Sequence, residues 1–108
     1  MRGHPQSMNS LRLLFDGVVN TPVPDQLSVT GLSLDSRSIG PGELFVGMPG
    51  SKTDGRLYIR QAVSAGAGAV LLEARGWSGK DCAVPCYLVE NLRRYIGLIA
   101  SRFYGFPS

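Results

Sequence analysis

The residues with chemistry to offer fall in two short stretches, Asp35-Ser36-Arg37 and Gly50-Ser51-Lys52-Thr53-Asp54-Gly55. Ser36 is no ready nucleophile: no histidine or lysine in the neighbouring sequence could activate it, and the one histidine, His4, lies near the amino terminus. A catalytic metal has no support either. Cys82 and Cys86 are separated by three residues, which is neither the redox spacing nor half of a paired zinc site, so both read as thiols in a reducing cytoplasm. The run from Ala74 to Asp81 superficially resembles a phosphate-binding loop, but alanine replaces its first glycine and aspartate its final hydroxyl residue. Binding, rather than bond breaking, is the chemistry these residues suit.

The elements that must position them can be read from turn signals and apolar runs. In Gly40-Pro41-Gly42-Glu43, Pro41 presets φ for the second position of a type II turn and Gly42 supplies the positive φ needed at the third. Leu44 to Met48 then reads as a buried strand, and Gly47 within it points to close approach by another backbone or a ligand. Asp54 is placed to cap a helix over Leu57 to Ala65, with Ile59, Ala62 and Val63 inward and Gly66 as its stop. Ala69 to Leu72 follows as a strand. This strand, helix, strand unit is expected to cross over right-handed and give parallel strands. It puts Asp35-Ser36-Arg37 and the Gly50 to Gly55 loop at strand ends, where open α/β sheets place their binding loops.

Cys86 to Val89 is the next strand. Asn91 reads as N-cap of a last helix with Leu92, Tyr95, Ile96, Ile99 and Phe103 in one stripe, stopped by Gly105 and Pro107. Near the amino terminus, Asn9 or Ser10 would cap a short helix whose Leu11, Leu14, Phe15 and Val18 share a face. Leu27 and Val29 share one strand parity and Leu32 and Leu34 the other, with a turn or bulge at Thr30-Gly31. The fold class expected is α/β: a small sheet of short strands, one strand-helix-strand crossover and a carboxyl-terminal helix. Residues 1–7 read as an expression tag or a misassigned start, and 8–108 as one domain.

Size and charge narrow the function classes. A chain of 108 residues can bury a core without staples but is small for an enzyme that handles several substrates. The net charge of +3 comes from nine arginines and two lysines scattered along the chain. No basic block or basic face interleaved with aromatics emerges, so nucleic acid is not the expected partner, and no apolar run is long enough to span a membrane.

The whole pattern is more specific than its parts. Leu34-Asp35-Ser36-Arg37, Pro41-Gly42-Glu43-Leu44-Phe45-Val46, Pro49-Gly50, Asp54-Gly55-Arg56, Gln61-Ala62-Val63 and Gly66-Ala67 closely resemble the opening domain of the Mur ligases. The resemblance runs from about Leu27 to Ser108 and is best to the MurE type. The ending Phe103-Tyr104-Gly105-Phe106-Pro107-Ser108 and the Met48-Pro49-Gly50 loop favour that type over the MurF type, which shares much of the rest. A stand-alone nucleotide-binding module with the same fold is the reading from another class.

The resemblance implies an amino-terminal domain that holds the UDP end of UDP-N-acetylmuramoyl-L-Ala-D-Glu for a ligase adding diaminopimelate or lysine. It implies contacts from Leu34, Ser36, Ser51, Lys52 and Thr53, with Arg37 and Arg56 as candidate diphosphate contacts and no catalytic residue or metal ligand within this chain. Polar Ser51-Lys52-Thr53 stands where the family varies. Gly50 and Gly55 would let the loop's backbone approach the nucleotide, and Lys52 would add positive charge. ATP and Mg²⁺ would serve the full ligase through its ATP-binding domain, with the carboxyl-terminal domain as a further partner. The chain alone is expected to have no ligase or ATPase activity.

Overall fold

The computed structural model describes residues 10–20, 22–24, 26–50, 52–77 and 83–104. Four strands, β1 (Leu32–Ser33), β2 (Leu44–Gly47), β3 (Ala69–Glu73) and β4 (Cys86–Val89), stand side by side in chain order. Every adjacent pair is parallel, with Leu44 opposite Ala69 and Val70 opposite Cys86. The parallel pairing expected for the strand-helix-strand unit is therefore what forms. Helices α1 (Leu11–Leu14), α2 (Ile59–Ser64) and α3 (Leu92–Tyr104) complete the fold.

Strand parity divides the core in two. Leu44, Val46, Leu71, Tyr87 and Val89 face Leu11 and Leu14 of α1 and Leu92 and Ile99 of α3, whereas Phe45, Val70 and Leu72 face Ala62 of α2 and Ile39 of the loop before β2. Because β2 and β3 are covered on both sides, their sequences, up to Glu73 at the end of β3, are continuously apolar rather than alternating. On the α1/α3 side, Phe15 meets Tyr87 edge to face with ring centroids 5.3 Å apart. Strand β4 alternates exposed and buried, and its Cys86 is an exposed thiol; Cys82 lies outside the described residues.

The turn into β2 forms as its sequence requires: Gly42 has φ +80°, and the Glu43 N–H donates to the Gly40 carbonyl at 3.1 Å. Gly47 is packed as well. A Cβ there would sit 2.9 Å from Leu72 Cδ2 and 3.3 Å from the Arg56 Cα, so the Leu72 side chain approaches first and the Arg56 backbone behind it. Gly66, at φ +112°, follows α2 as expected.

Three expectations change. The helix expected over Leu57 to Ala65 begins as a 3₁₀ turn, Gly55–Tyr58, with the Asp54 carboxylate taking the Arg56 N–H at 2.9 Å, and becomes α-helical only from Ile59. Between Leu27 and Leu34 only Leu32–Ser33 is strand, paired with β2; Ser28 makes an isolated bridge to Ser10 instead.

Asn91 does not take the extended conformation of an N-cap. Its φ is +60°, and the carboxylate that receives the N–H groups of Asn91 and Leu92, at 3.1 and 2.8 Å, is that of Glu73 at the end of β3. The helix start is thus tied to the sheet by a residue distant in sequence. Ser10 stands at the N-cap of α1 without a side-chain cap bond, and Asn9, Gly105, Pro107 and residues 1–7 lie outside the described residues.

Candidate functional site

A cavity of about 630 Å³ opens at the carboxyl ends of β1 and β2. Its wall includes Leu34, Ser36 and Arg37 from the segment after β1, Met48, Gly50 and Thr53 from the loop after β2, and Tyr58 and Gln61 from the helical segment beyond. That volume falls within the range of small-molecule sites, and its position at strand carboxyl ends is where parallel sheets bind ligands. Two stretches separated in sequence are thereby brought to one hollow.

Each stretch is held by its own local bonds. The Asp35 carboxylate takes the backbone N–H of Arg37 at 2.9 Å and its Nε–H at 3.3 Å, which folds residues 35–37 into a tight turn. The Arg37 backbone N–H, its side chain and its charge hold the Asp35 carboxyl below its usual pKa. The Arg37 side chain is otherwise exposed. In the second stretch, the Gly50 N–H donates to the Thr53 carbonyl at 2.8 Å and the Gly55 N–H to the Met48 carbonyl at 3.0 Å. A Cβ on Gly55 would lie 3.2 Å from that Met48 oxygen, so the loop closes tightly on itself.

The expected residues divide by place. Leu34 is 55% exposed and offers an apolar surface at the cavity, while Ser36 is only 6% exposed and donates its hydroxyl to Gln61 Oε1 at 2.8 Å. Thr53 reaches the rim, with its Oγ1 3.4 Å from the Tyr58 hydroxyl. Lys52 is exposed but is not among the lining residues, and Ser51 lies outside the described residues.

Arg56 is withdrawn from the diphosphate contacts expected of it. The residue is 5% exposed, and its guanidinium donates to the Asp54 carboxylate at 2.7–3.1 Å, to the Glu73 carbonyl at 2.7 Å and to the Arg75 carbonyl at 2.8 Å. It also lies 5.2 Å from the centroid of the Trp77 ring. All of its charge is directed inward. Hydrogen bonding from Arg56 outweighs burial and lowers the Asp54 pKa, and the same bond raises that of Arg56.

The Glu73 carboxylate lies at the next strand end. Burial would raise its pKa, but N–H donors from Leu92, Arg75 and Asn91, with the Arg56 charge, bring it below the ordinary value. Glu73 lines a smaller hollow of about 250 Å³ with Met48, Pro49, Arg75, Asn91 and Arg93, and Arg93 donates to the Pro49 carbonyl at 2.9 Å.

Sequence reasoning gave Tyr58 and Gln61 no place in the site. Their spacing held the signal, since residues three apart share one face of a helical segment and both follow the polar loop directly. Among the described residues no group of three or more histidine, cysteine, aspartate or glutamate side chains is placed to hold a metal ion, and the Arg75 N–H of the former phosphate-loop candidate donates to the Glu73 carboxylate at 3.1 Å. No helix among the described residues is long and apolar enough to cross a membrane.

Fold and site together define a small parallel α/β module with a ligand-sized hollow at the carboxyl end of its sheet. The chain belongs to the Mur ligase family: the family model described as "Mur ligase family, catalytic domain" matches residues 28–104. It is similar to the UDP-N-acetylmuramoyl-L-alanyl-D-glutamate–2,6-diaminopimelate ligase of Bradyrhizobium diazoefficiens, 46% identical over 84 residues, which cover 77% of this chain and 16% of that one. The ligase of the same name from Alkalilimnicola ehrlichii is 39% identical over 110 residues, covering 94% and 22%. Crystal structure II of MurF from Acinetobacter baumannii matches 89% of this chain and 20% of its own with a TM-score of 0.65; at 21% identity the likeness is one of fold. The chain thus spans about a sixth to a fifth of the length of these relatives.

Proposed function

We propose that this chain is the amino-terminal, substrate-holding domain of a ligase that adds diaminopimelate or lysine to UDP-N-acetylmuramoyl-L-Ala-D-Glu in peptidoglycan precursor synthesis. The observation that carries this reading is the cavity shared by Leu34, Ser36, Arg37, Gly50 and Thr53, in a chain whose relatives bear the name of that ligase. Leu34, Met48 and Tyr58 give a flat base apolar surface, and buried Ser36 gives its edge a hydrogen-bond partner. In this reading Arg37 at the wall and Lys52, exposed on the loop after β2 but outside the lining, supply charge for the diphosphate, with Ser51 and Thr53 as further loop contacts.

In this reading ATP and Mg²⁺ are bound by another domain, where the D-Glu side-chain carboxylate is activated as an acyl phosphate and attacked by the incoming amine. This domain contributes position and no bond chemistry, and it works in the cytoplasm. Chemical-shift titration with UDP tests the proposal. Shifts should cluster at residues 34–37 and 50–55, and Ser36→Ala should weaken binding by about 0.5–1.5 kcal/mol, the net value of a neutral hydrogen bond. Shifts confined to α3, or binding indifferent to Ser36→Ala, would overturn it.

A further inference from the structure

The smaller hollow, beyond the ends of β2 and β3 at the start of α3, has a charge balance unlike that of the cavity beside it. Arg75 and Arg93 both line it and both are exposed, and among the described residues no carboxylate pairs with either guanidinium. Arg93 gives an N–H to the Pro49 carbonyl at 2.9 Å, a neutral acceptor that leaves its charge and its other donors unused. The one carboxylate in the wall, Glu73, already accepts N–H groups from Arg75, Asn91 and Leu92. Arg37 and Arg56, by contrast, have counter-ions, Asp35 at 3.3 Å and Asp54 at 2.7 Å.

The bonds to Glu73 also fix where the two cations stand. Its carboxylate takes the backbone N–H of Arg75 on one side and the first N–H groups of α3 on the other, and Arg56 holds the Arg75 carbonyl at 2.8 Å. The backbones beneath both side chains are thus clamped by buried residues while the side chains stay open to solvent. An oxyanion is the ligand whose charge and acceptors match two guanidinium forks presented in this way.

Volume separates the two hollows by task. About 250 Å³ is below the range of whole small-molecule sites and suits one polar group, whereas about 630 Å³ suits a base with its sugar. Met48 lines both, and Pro49 of one is followed directly by Gly50 of the other, so the hollows adjoin. We propose that the smaller hollow is an oxyanion subsite in which Arg75 and Arg93 hold the diphosphate of the nucleotide whose uridine end occupies the larger cavity. The Asn91 side-chain amide, which forms no bond to another described residue, is a further donor in its wall. The inference rests on the nucleotide reading above, and it adds to Arg37 two cations that no carboxylate offsets.

Uridine, UDP and inorganic pyrophosphate, titrated separately into the 108-residue chain and followed by amide chemical shifts, test the assignment. Uridine should move residues 34–37 and 50–55; UDP should move these and also Arg75, Asn91 and Arg93, and pyrophosphate the second set alone. Arg75→Gln removes the charge but keeps the main-chain bonds to Glu73 and Arg56, so the spectrum should otherwise be preserved. It should weaken UDP about three- to tenfold, the effect of a charge-assisted bond in a partly open site, and leave uridine unchanged. Arg75→Lys keeps the charge and should recover part of the loss. Arg93→Gln also releases Pro49, so its effect is read as the ratio of UDP to uridine affinity, which should fall.

A UDP map identical to that of uridine would overturn this subsite and leave the nucleotide cavity standing. So would Arg75→Gln and Arg93→Gln variants in which the ratio of the two affinities is unchanged. If neither uridine nor UDP moves residues 34–37 and 50–55, the nucleotide reading fails whatever pyrophosphate does, and with it the claim that one ligand spans both hollows.

Discussion

Replacing Arg56 by lysine separates the charge of this side chain from its shape. The guanidinium holds the Asp54 carboxylate through Nε and Nη2, and the carbonyls of Glu73 and Arg75 through Nη1. A lysine ammonium keeps the charge but is a compact donor on a flexible stem, and it cannot match a planar fork that serves a carboxylate and two carbonyls at once. If it stays with Asp54, both carbonyl bonds are lost, and hydrogen bonds to charged groups contribute about 1.5–3 kcal/mol each. Water can replace the bond to the exposed Arg75 but less easily the buried one to Glu73, so a loss of about 2–3 kcal/mol is expected. For a domain of this size that lowers the melting temperature by roughly 8–24 °C. Urea unfolding followed by fluorescence of Trp77, the chain's one tryptophan and a neighbour of the guanidinium, reads the change directly. Stability within about 0.5 kcal/mol of wild type, combined with weakened UDP binding, would refute the reasoning and restore Arg56 to the ligand.

Acid should destabilise the fold through Glu73 and Asp54, whose folded pKa values lie below their ordinary values of 4.5 and 3.8. The unfolded chain then binds protons more readily, so this stability is full above about pH 5 and is lost as pH falls through the folded values; denaturant midpoints measured from pH 7 to 3 should trace the decline, with a shallower slope in Glu73→Gln. Glu73→Ala leaves the N–H groups of Asn91 and Leu92 without their acceptor and should cost about 2–4 kcal/mol, with hydrogen exchange accelerated first at the start of α3. Gly42→Ala forces a side chain into φ +80° with Thr30 atoms 3.3 Å from its Cβ, and a loss of about 1–2 kcal/mol in thermal unfolding is expected.

The parts of the fold legible in the sequence were those set by short-range rules. The Gly40 to Glu43 turn, β4 and the buried stripe of α3 follow from φ preferences and periodicity, and Gly47 announced a close approach by lacking a side chain. What escaped was decided at long range. Asn91 has the composition of an N-cap, but the acceptor for the first N–H groups of α3 comes from Glu73, 18 and 19 residues away, and no local pattern encodes that. Arg56 follows a polar loop and so read as a ligand contact; only the position of β3 makes it an internal tie. Leu34, Ser36 and Thr53 were legible as cavity residues through a resemblance, whereas Gln61 enters the site only once α2 is laid beside the turn after β1.

The site therefore has two kinds of charge with different tasks. Arg56 and Glu73, both buried, join the loop after β2, the end of β3 and the start of α3 into one piece, so the cavity rim is fixed by the sheet rather than by the ligand. Arg93 reaches the same loop from α3 through the Pro49 carbonyl. Arg37, by contrast, is held only at its base by Asp35 and keeps an exposed guanidinium beside the hollow. Substituting the first, buried kind should change stability and leave UDP binding by correctly folded molecules intact. Substituting Arg37 should weaken UDP binding, with an effect that shrinks as salt is raised, because exposed charges are screened within about 8–10 Å at physiological ionic strength.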